Sequence, residues 1–202
     1  MQIKECTGCE TFPCVDVYHK SYSLPDIEIH PDKVSLILIS EAAPEHPGDS
    51  YYADGDPSFQ QTTLQAFKAA GVGIQSFKEL LGMGIYFTTA VKCAKTGYGI
   101  KAATIKECSL IMEKELNRFP NVQAYLLMGD VAIKAINYIA KRKGAGRVIP
   151  AGSTYKIRGG EFYFGGVRTF PSYLQVGPSF GIEKSKQRMI AEDIAAALSL
   201  IA

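Results

Sequence analysis

Val34-Ser-Leu-Ile-Leu-Ile-Ser40 decides the fold. It is a continuous apolar run of strand length. A strand with one wet face alternates apolar and polar residues; a run without alternation fits a parallel strand buried on both faces. Ile85-Tyr-Phe-Thr-Thr-Ala-Val91 and Ala124-Tyr-Leu-Leu-Met128 repeat the pattern. The intervening segments have helical period. Residues 59–70 read as a helix stopped by Gly71, and residues 104–119 as a second, with Thr104 and Glu107 spaced as a capping box. Residues 130–143 read as a third, capped by Asp130, and residues 183–202 as a terminal amphipathic helix. Residues 153–170, rich in β-formers around Gly159-Gly160 and Gly165-Gly166, suggest a hairpin and a final strand. Strands alternating with helices predict an α/β protein whose mainly parallel sheet is covered on both faces. Such sheets place their sites at the carboxyl ends of the strands. Ser40-Glu41, Lys92-Cys93, Gly129-Asp130 and Phe170-Pro171 fall there.

The 202 residues are 47% hydrophobic and 21% charged, which suits one domain over residues 1–202 with a full core. No apolar h-region follows Met1 and no run reaches membrane-spanning length. The expectation is a soluble, cytoplasmic protein without a membrane role. Formal net charge is +2, so whole-chain charge is no argument for nucleic-acid binding. Trp is absent, leaving Phe and Tyr for any aromatic stacking.

Four of the five cysteines form two pairs, Cys6-x2-Cys9 and Cys93-x14-Cys108. In a reducing compartment, metal ligation is the expected use of such pairs. Thiolates suit an iron–sulfur cluster, and four of them suit zinc equally well. Cys14 is a fifth thiol that could replace Cys6 or Cys9. Buried free cysteines are the plain structural reading.

Ile39-Ser-Glu-Ala-Ala-Pro44, Thr89-Ala-Val-Lys-Cys93, Cys108 and Phe170-Pro-Ser-Tyr-Leu174 together resemble the uracil-DNA glycosylase superfamily, in particular its iron–sulfur branches, the fourth and fifth families. The resemblance spans nearly the whole chain. It implies a three-layer α/β/α sandwich around a four-stranded, mainly parallel sheet. It implies a DNA glycosylase that hydrolyses the N-glycosidic bond of uracil or another damaged base flipped out of DNA, acting as a monomer. It also implies one structural [4Fe–4S] cluster on Cys6, Cys9, Cys93 and Cys108, with Cys14 free.

The same resemblance assigns the site. Glu41 matches an acidic position after the first strand, where a carboxylate can orient water or stabilise an oxocarbenium-like sugar. Capping the loop or pairing with Lys92 is its alternative role. Asp49, Asp54, Asp56 and His46 are further candidates in the same loop. Phe59 matches the aromatic that stacks on the flipped base, and Thr89 stands where the fourth family reads uracil with an Asn. The Ala-Val-Lys-Cys context is closer to the fifth family. Phe170-Pro171 replaces a His-Pro whose imidazole stabilises charge on the leaving base. Ser172 opens the next loop as a substrate contact. Tyr173 and Leu174 are candidate minor-groove wedges, and Lys184 and Lys186 phosphate contacts. Lys141-Arg-Lys143 reads as a solvated helix end. With Asn and His both replaced, two other readings stay open. One is a nucleic-acid damage-binding protein without activity, and the other a hydrolase of free nucleosides.

Overall fold

The computed structural model describes residues 8–201. The strands are β1 (Val17–Tyr18), β2 (Leu36–Ala42), β3 (Ile85–Val91), β4 (Ala94–Lys95), β5 (Ala124–Met128), β6 (Phe162–Phe164) and β7 (Val167–Ser172). The helices are α1 (Ser58–Ala69), α2 (Phe77–Gly82), α3 (Ala102–Leu116), α4 (Asp130–Arg142), α5 (Thr154–Ile157) and α6 (Lys184–Leu198). The central sheet has the order β3-β2-β5-β7-β6. Its first four strands are parallel, and β6 runs antiparallel to β7. The opening run is therefore a central strand with neighbours on both sides.

Leu36, Ile37, Leu38 and Ile39 have no exposed surface, which is why that stretch carries no polar alternation. Successive side chains point to opposite faces. Leu36 and Leu38 join Phe87, Leu126 and Phe170 in one core cluster. Ile37 and Ile39 join Tyr86, Tyr125 and Leu127 in the other. Helices α1, α2 and α6 cover the first face, and α3 and α4 the second. The result is a three-layer α/β/α sandwich.

Three expectations need correction. The sheet has five strands, not four: Gly165 and Gly166 both hold positive φ (58° and 84°), a turn that folds β6 back onto β7 as an edge strand. Helix α3 begins at Ala102, so Thr104 lies inside it and is no N-cap. Its first turn is capped from afar by Asp16, which accepts from the Lys101 amide at 2.5 Å and from the Thr104 hydroxyl. Asp130 does not cap α4 either; the carboxylate at that helix start belongs to Glu41. The short elements α2, β1 and β4 went unread, being too brief to show a period.

Candidate active site

Near the carboxyl end of β2, Glu41 reaches towards the start of α4. Glu41 Oε1 accepts from the Val131 amide at 3.3 Å. That approach needs Gly129, whose φ of 101° and ψ of 167° suit glycine alone. A Cβ there would meet Glu41 Oε1 at 2.5 Å and its Cγ at 2.7 Å. The helix amide and the positive end of the α4 macrodipole hold the carboxylate in one place.

Two adjoining clefts of about 550 Å³ each open here, sharing Glu41, Lys95 and Leu174 as a common wall. One extends past Pro44, His46 and Phe59. The other extends past Tyr98, Asp130, Lys134, Tyr173 and Lys186. The predicted residues Glu41, Phe59, Tyr173, Leu174 and Lys186 are thus brought together at the carboxyl ends of the strands. Lys184 is exposed at the first position of α6 and lines neither cleft. Asp49 is engaged locally, accepting from the Ser58 amide at 3.1 Å at the start of α1.

Phe59 and Thr89 also line a third cavity, with Pro44 and Tyr51. It measures about 30 Å³, an order of magnitude below the roughly 300 Å³ where ligand pockets begin. Phe59 is only 7% exposed, edge-on to Tyr51 at 5.2 Å. Behind them lies a buried polar network that sequence reading missed. Tyr51 and Ser40 share a hydrogen bond, and Gln175 Nε2 donates to the Tyr51 hydroxyl at 2.8 Å and to Ser40 Oγ at 3.3 Å.

Ser172 was expected to face substrate. Its hydroxyl instead donates to Asp193 on α6 at 2.5 Å, with no exposed surface. Asp193 in turn accepts from Arg158 at 2.7 Å. Burial raises the Asp193 pKa, while Ser172 and Arg158 oppose that shift. Ser172 below and Gln175 above therefore pin the loop that presents Tyr173 and Leu174. Phe170, where the resemblance implies a His, belongs to the core under α6, with the Arg168 guanidinium 4.6 Å from its ring.

Cys6 lies outside the described residues. Cys9, Cys14, Cys93 and Cys108 carry no disulfide, and Cys93 and Cys108 are buried. Burial, and then the neighbouring thiols, push Cys93 up to about 12; burial pushes Cys108 up to about 11 against a hydrogen bond from the Lys92 backbone that lowers it. Cys14, expected to stand apart, influences both and packs against the core cluster that contains them. Among the described residues, no three His, Cys, Asp or Glu side chains converge closely enough to hold one metal ion. Sulfur donors are the type a soft metal centre takes, and a bound cation would convert such buried thiols to thiolates.

Beside Cys93, the Lys92 ammonium is fully buried against Glu115 at 2.5 Å, and not against Glu41. It also donates to Thr88 Oγ1 and the Thr89 carbonyl at 2.7 Å each. Tyr86 and Thr88 fill the other carboxylate oxygen. Glu115 had a readable signal: it sits on the buried α3 stripe with Cys108 and Met112, where a carboxylate requires a cation.

No protein-family profile matches the chain, and no curated protein does. Among solved structures it is similar to the wild-type UNG of Nitratifractor salsuginis. The two share 12% identity with a TM-score of 0.41, over 82% of this chain and 74% of that one. The fold stated above rests on the chain's own strands and helices. No described helix is long and apolar enough to cross a membrane.

Proposed function

We propose that the protein is a DNA glycosylase-like hydrolase that releases uracil or another damaged base from DNA. The observation that carries this reading is the shared cleft wall: one carboxylate, Glu41, faces the pinned Tyr173-Leu174 loop, with Phe59 alongside. In the proposed reaction the base leaves as the N-glycosidic bond breaks. Water bonds to the sugar carbon, and its proton goes to the departing base or to solvent. Glu41 orients that water and faces the cationic sugar. Phe59 stacks on the base, and Thr89 contacts its edge once the small cavity widens. Tyr173 and Leu174 fill the gap in the duplex.

With Thr89 and Phe170 in place of Asn and His, uracil excision is expected to be slow and broad in base choice. Losing one preorganised donor to a developing anion costs on the order of a hundredfold or more in rate. Bases already mispaired or unpaired are expected to react best, since they cost least to flip. A structural [4Fe–4S] cluster on Cys6, Cys9, Cys93 and Cys108 belongs to the same proposal. When bound, it would tie the N-terminal segment to the end of β3.

The test is base release from a panel of damaged oligonucleotides, using protein purified without oxygen. Glu41→Gln should abolish release while keeping DNA binding, and Phe59→Ala should weaken both. Full activity in Glu41→Gln would overturn the catalytic assignment. The closed Phe59–Thr89 cavity favours one alternative, a damage-binding protein without activity. Tight binding with no base released from any substrate would establish that instead.

A further inference from the structure

The second cleft has a wall that this reading leaves unused. Residues Gly97-Tyr98-Gly99-Ile100 form a loop whose ring is wholly exposed, at 102%. The loop is not slack. The Asp16 carbonyl accepts from the Thr96 amide at 3.1 Å, and the Asp16 carboxylate accepts from the Lys101 amide at 2.5 Å. One residue thus staples both ends of a four-residue excursion. Strand β4 adds a second hold by pairing with β1. A tyrosine presented at the tip of a pinned loop, with no core contact, contributes nothing to folding that would explain it.

Lysines and a second aromatic ring surround it. Lys95 Nζ lies 5.9 Å from the Tyr98 ring centroid and donates to the Tyr98 carbonyl at 3.2 Å. Across the same cleft, Lys186 Nζ lies 5.5 Å from the Tyr173 ring. Tyr98, Tyr173 and Lys186 line this one cleft, so the two aromatic arms share one neighbourhood. Lys134 lines the cleft between them. The acids present are Glu41, engaged by α4, Asp130, paired with Lys134, and Glu183, paired with Lys186. Lys95 forms no carboxylate pair among the described residues, leaving its charge available.

Exposed rings interleaved with lysines along a groove bind unpaired nucleic acid, because every base has a face to stack and every link a phosphate. We propose that Tyr98 and Lys95 form an aromatic clamp, opposite Tyr173, that holds single-stranded DNA beside the site by stacking on an unpaired base. This rests on the DNA-directed reading above and gives it a strand preference.

The experiment measures fluorescence anisotropy of labelled single-stranded and fully paired oligonucleotides of equal length, with the full chain, across a salt series. Tyr98→Ala should weaken single-strand binding about tenfold, the effect of one lost stacked base, with the salt slope unchanged. Tyr98→Phe should bind like the parent, since stacking needs the ring and not the hydroxyl. Lys95→Ala should lower the salt slope by about 0.7, the single-strand value for one phosphate contact. Because Tyr98 has no core contact, all three variants should melt with the parent. Tyr98→Ala binding single strands as well as the parent would overturn the clamp, even if base release persists. A parent that releases no base yet binds single strands through Tyr98 would sink the glycosylase reading and leave the clamp standing. A parent that binds no DNA would overturn both.

Discussion

Replacing Gly129 with alanine tests the geometry of the candidate site without removing any of its functional groups. The added Cβ meets two obstacles. The backbone at φ 101° and ψ 167° lies in a region essentially reserved for glycine, where a side chain costs about 1–3 kcal/mol. The Cβ would also sit 2.5 Å from Glu41 Oε1, so the carboxylate must leave the Val131 amide. Losing a helix-terminal acceptor costs about 1 kcal/mol more. The sum is about 2–4 kcal/mol, which for a chain of this size is a drop in melting temperature of roughly 4–16 °C. Calorimetry or thermal circular dichroism reads that shift. Base release in the folded Gly129→Ala protein should fall as it does in Glu41→Gln, because the carboxylate has been moved. The double variant Glu41→Ala/Gly129→Ala removes the clash and keeps the backbone strain. Its stability loss should therefore be smaller than the two single losses added together. A single variant melting with the parent, or strictly additive losses, would refute the idea that Gly129 exists to admit Glu41.

Lys92→Met would leave the Glu115 carboxylate buried without its cation, and urea unfolding should show a loss of about 3–5 kcal/mol. Lys92→Met/Glu115→Leu should recover part of that loss; no recovery would argue against the pair as the cause. Anaerobically purified protein should contain about four irons per chain with matching sulfide, and Cys93→Ala should lose both along with thermal stability. Stoichiometric zinc without sulfide would sink the cluster. Comparing Cys6→Ser with Cys14→Ser decides which thiol is the fourth ligand: the proposal expects iron lost from the first and kept in the second.

The sheet was legible because burial on both faces leaves a mark that one sequence can carry. Ile85–Val91 and Ala124–Met128 are buried at every position and show no apolar–polar alternation, and each strand matches its expected bounds. The caps were not legible. Thr104 and Asp130 have the right chemistry at the right places, yet Asp16 and Glu41 reach those helix ends from 85 or more residues away in sequence. Local pattern cannot rank a distant acceptor above a near one. Ser172 failed for a related reason: its position at the end of β7 is compatible with either face, and α6 supplies Asp193 to bind it. Tyr98 left a faint signal, a large ring between two glycines. Phe59, expected as a stacking ring, is 7% exposed and packs into the core while also lining a cleft.

The Asp16 staple has a consequence for the entropy of the cleft. With Asp16, Val17 and Tyr18 in place, only residues 97–100 lie between anchors. Were that segment displaced, the unanchored stretch would run from the end of β3 to the start of α3, over residues 92–101 in place of 97–100. That more than doubles its length, and each doubling adds only about 0.6 kcal/mol to the cost of closing a flexible loop. The larger effect is on readiness. An arm already fixed loses little freedom when it meets a base, whereas a loosened arm must be ordered by the ligand itself, at about 1–2 kcal/mol per backbone residue. Substitutions at Asp16, remote in sequence from both clefts, should therefore weaken DNA binding without altering one atom that touches DNA.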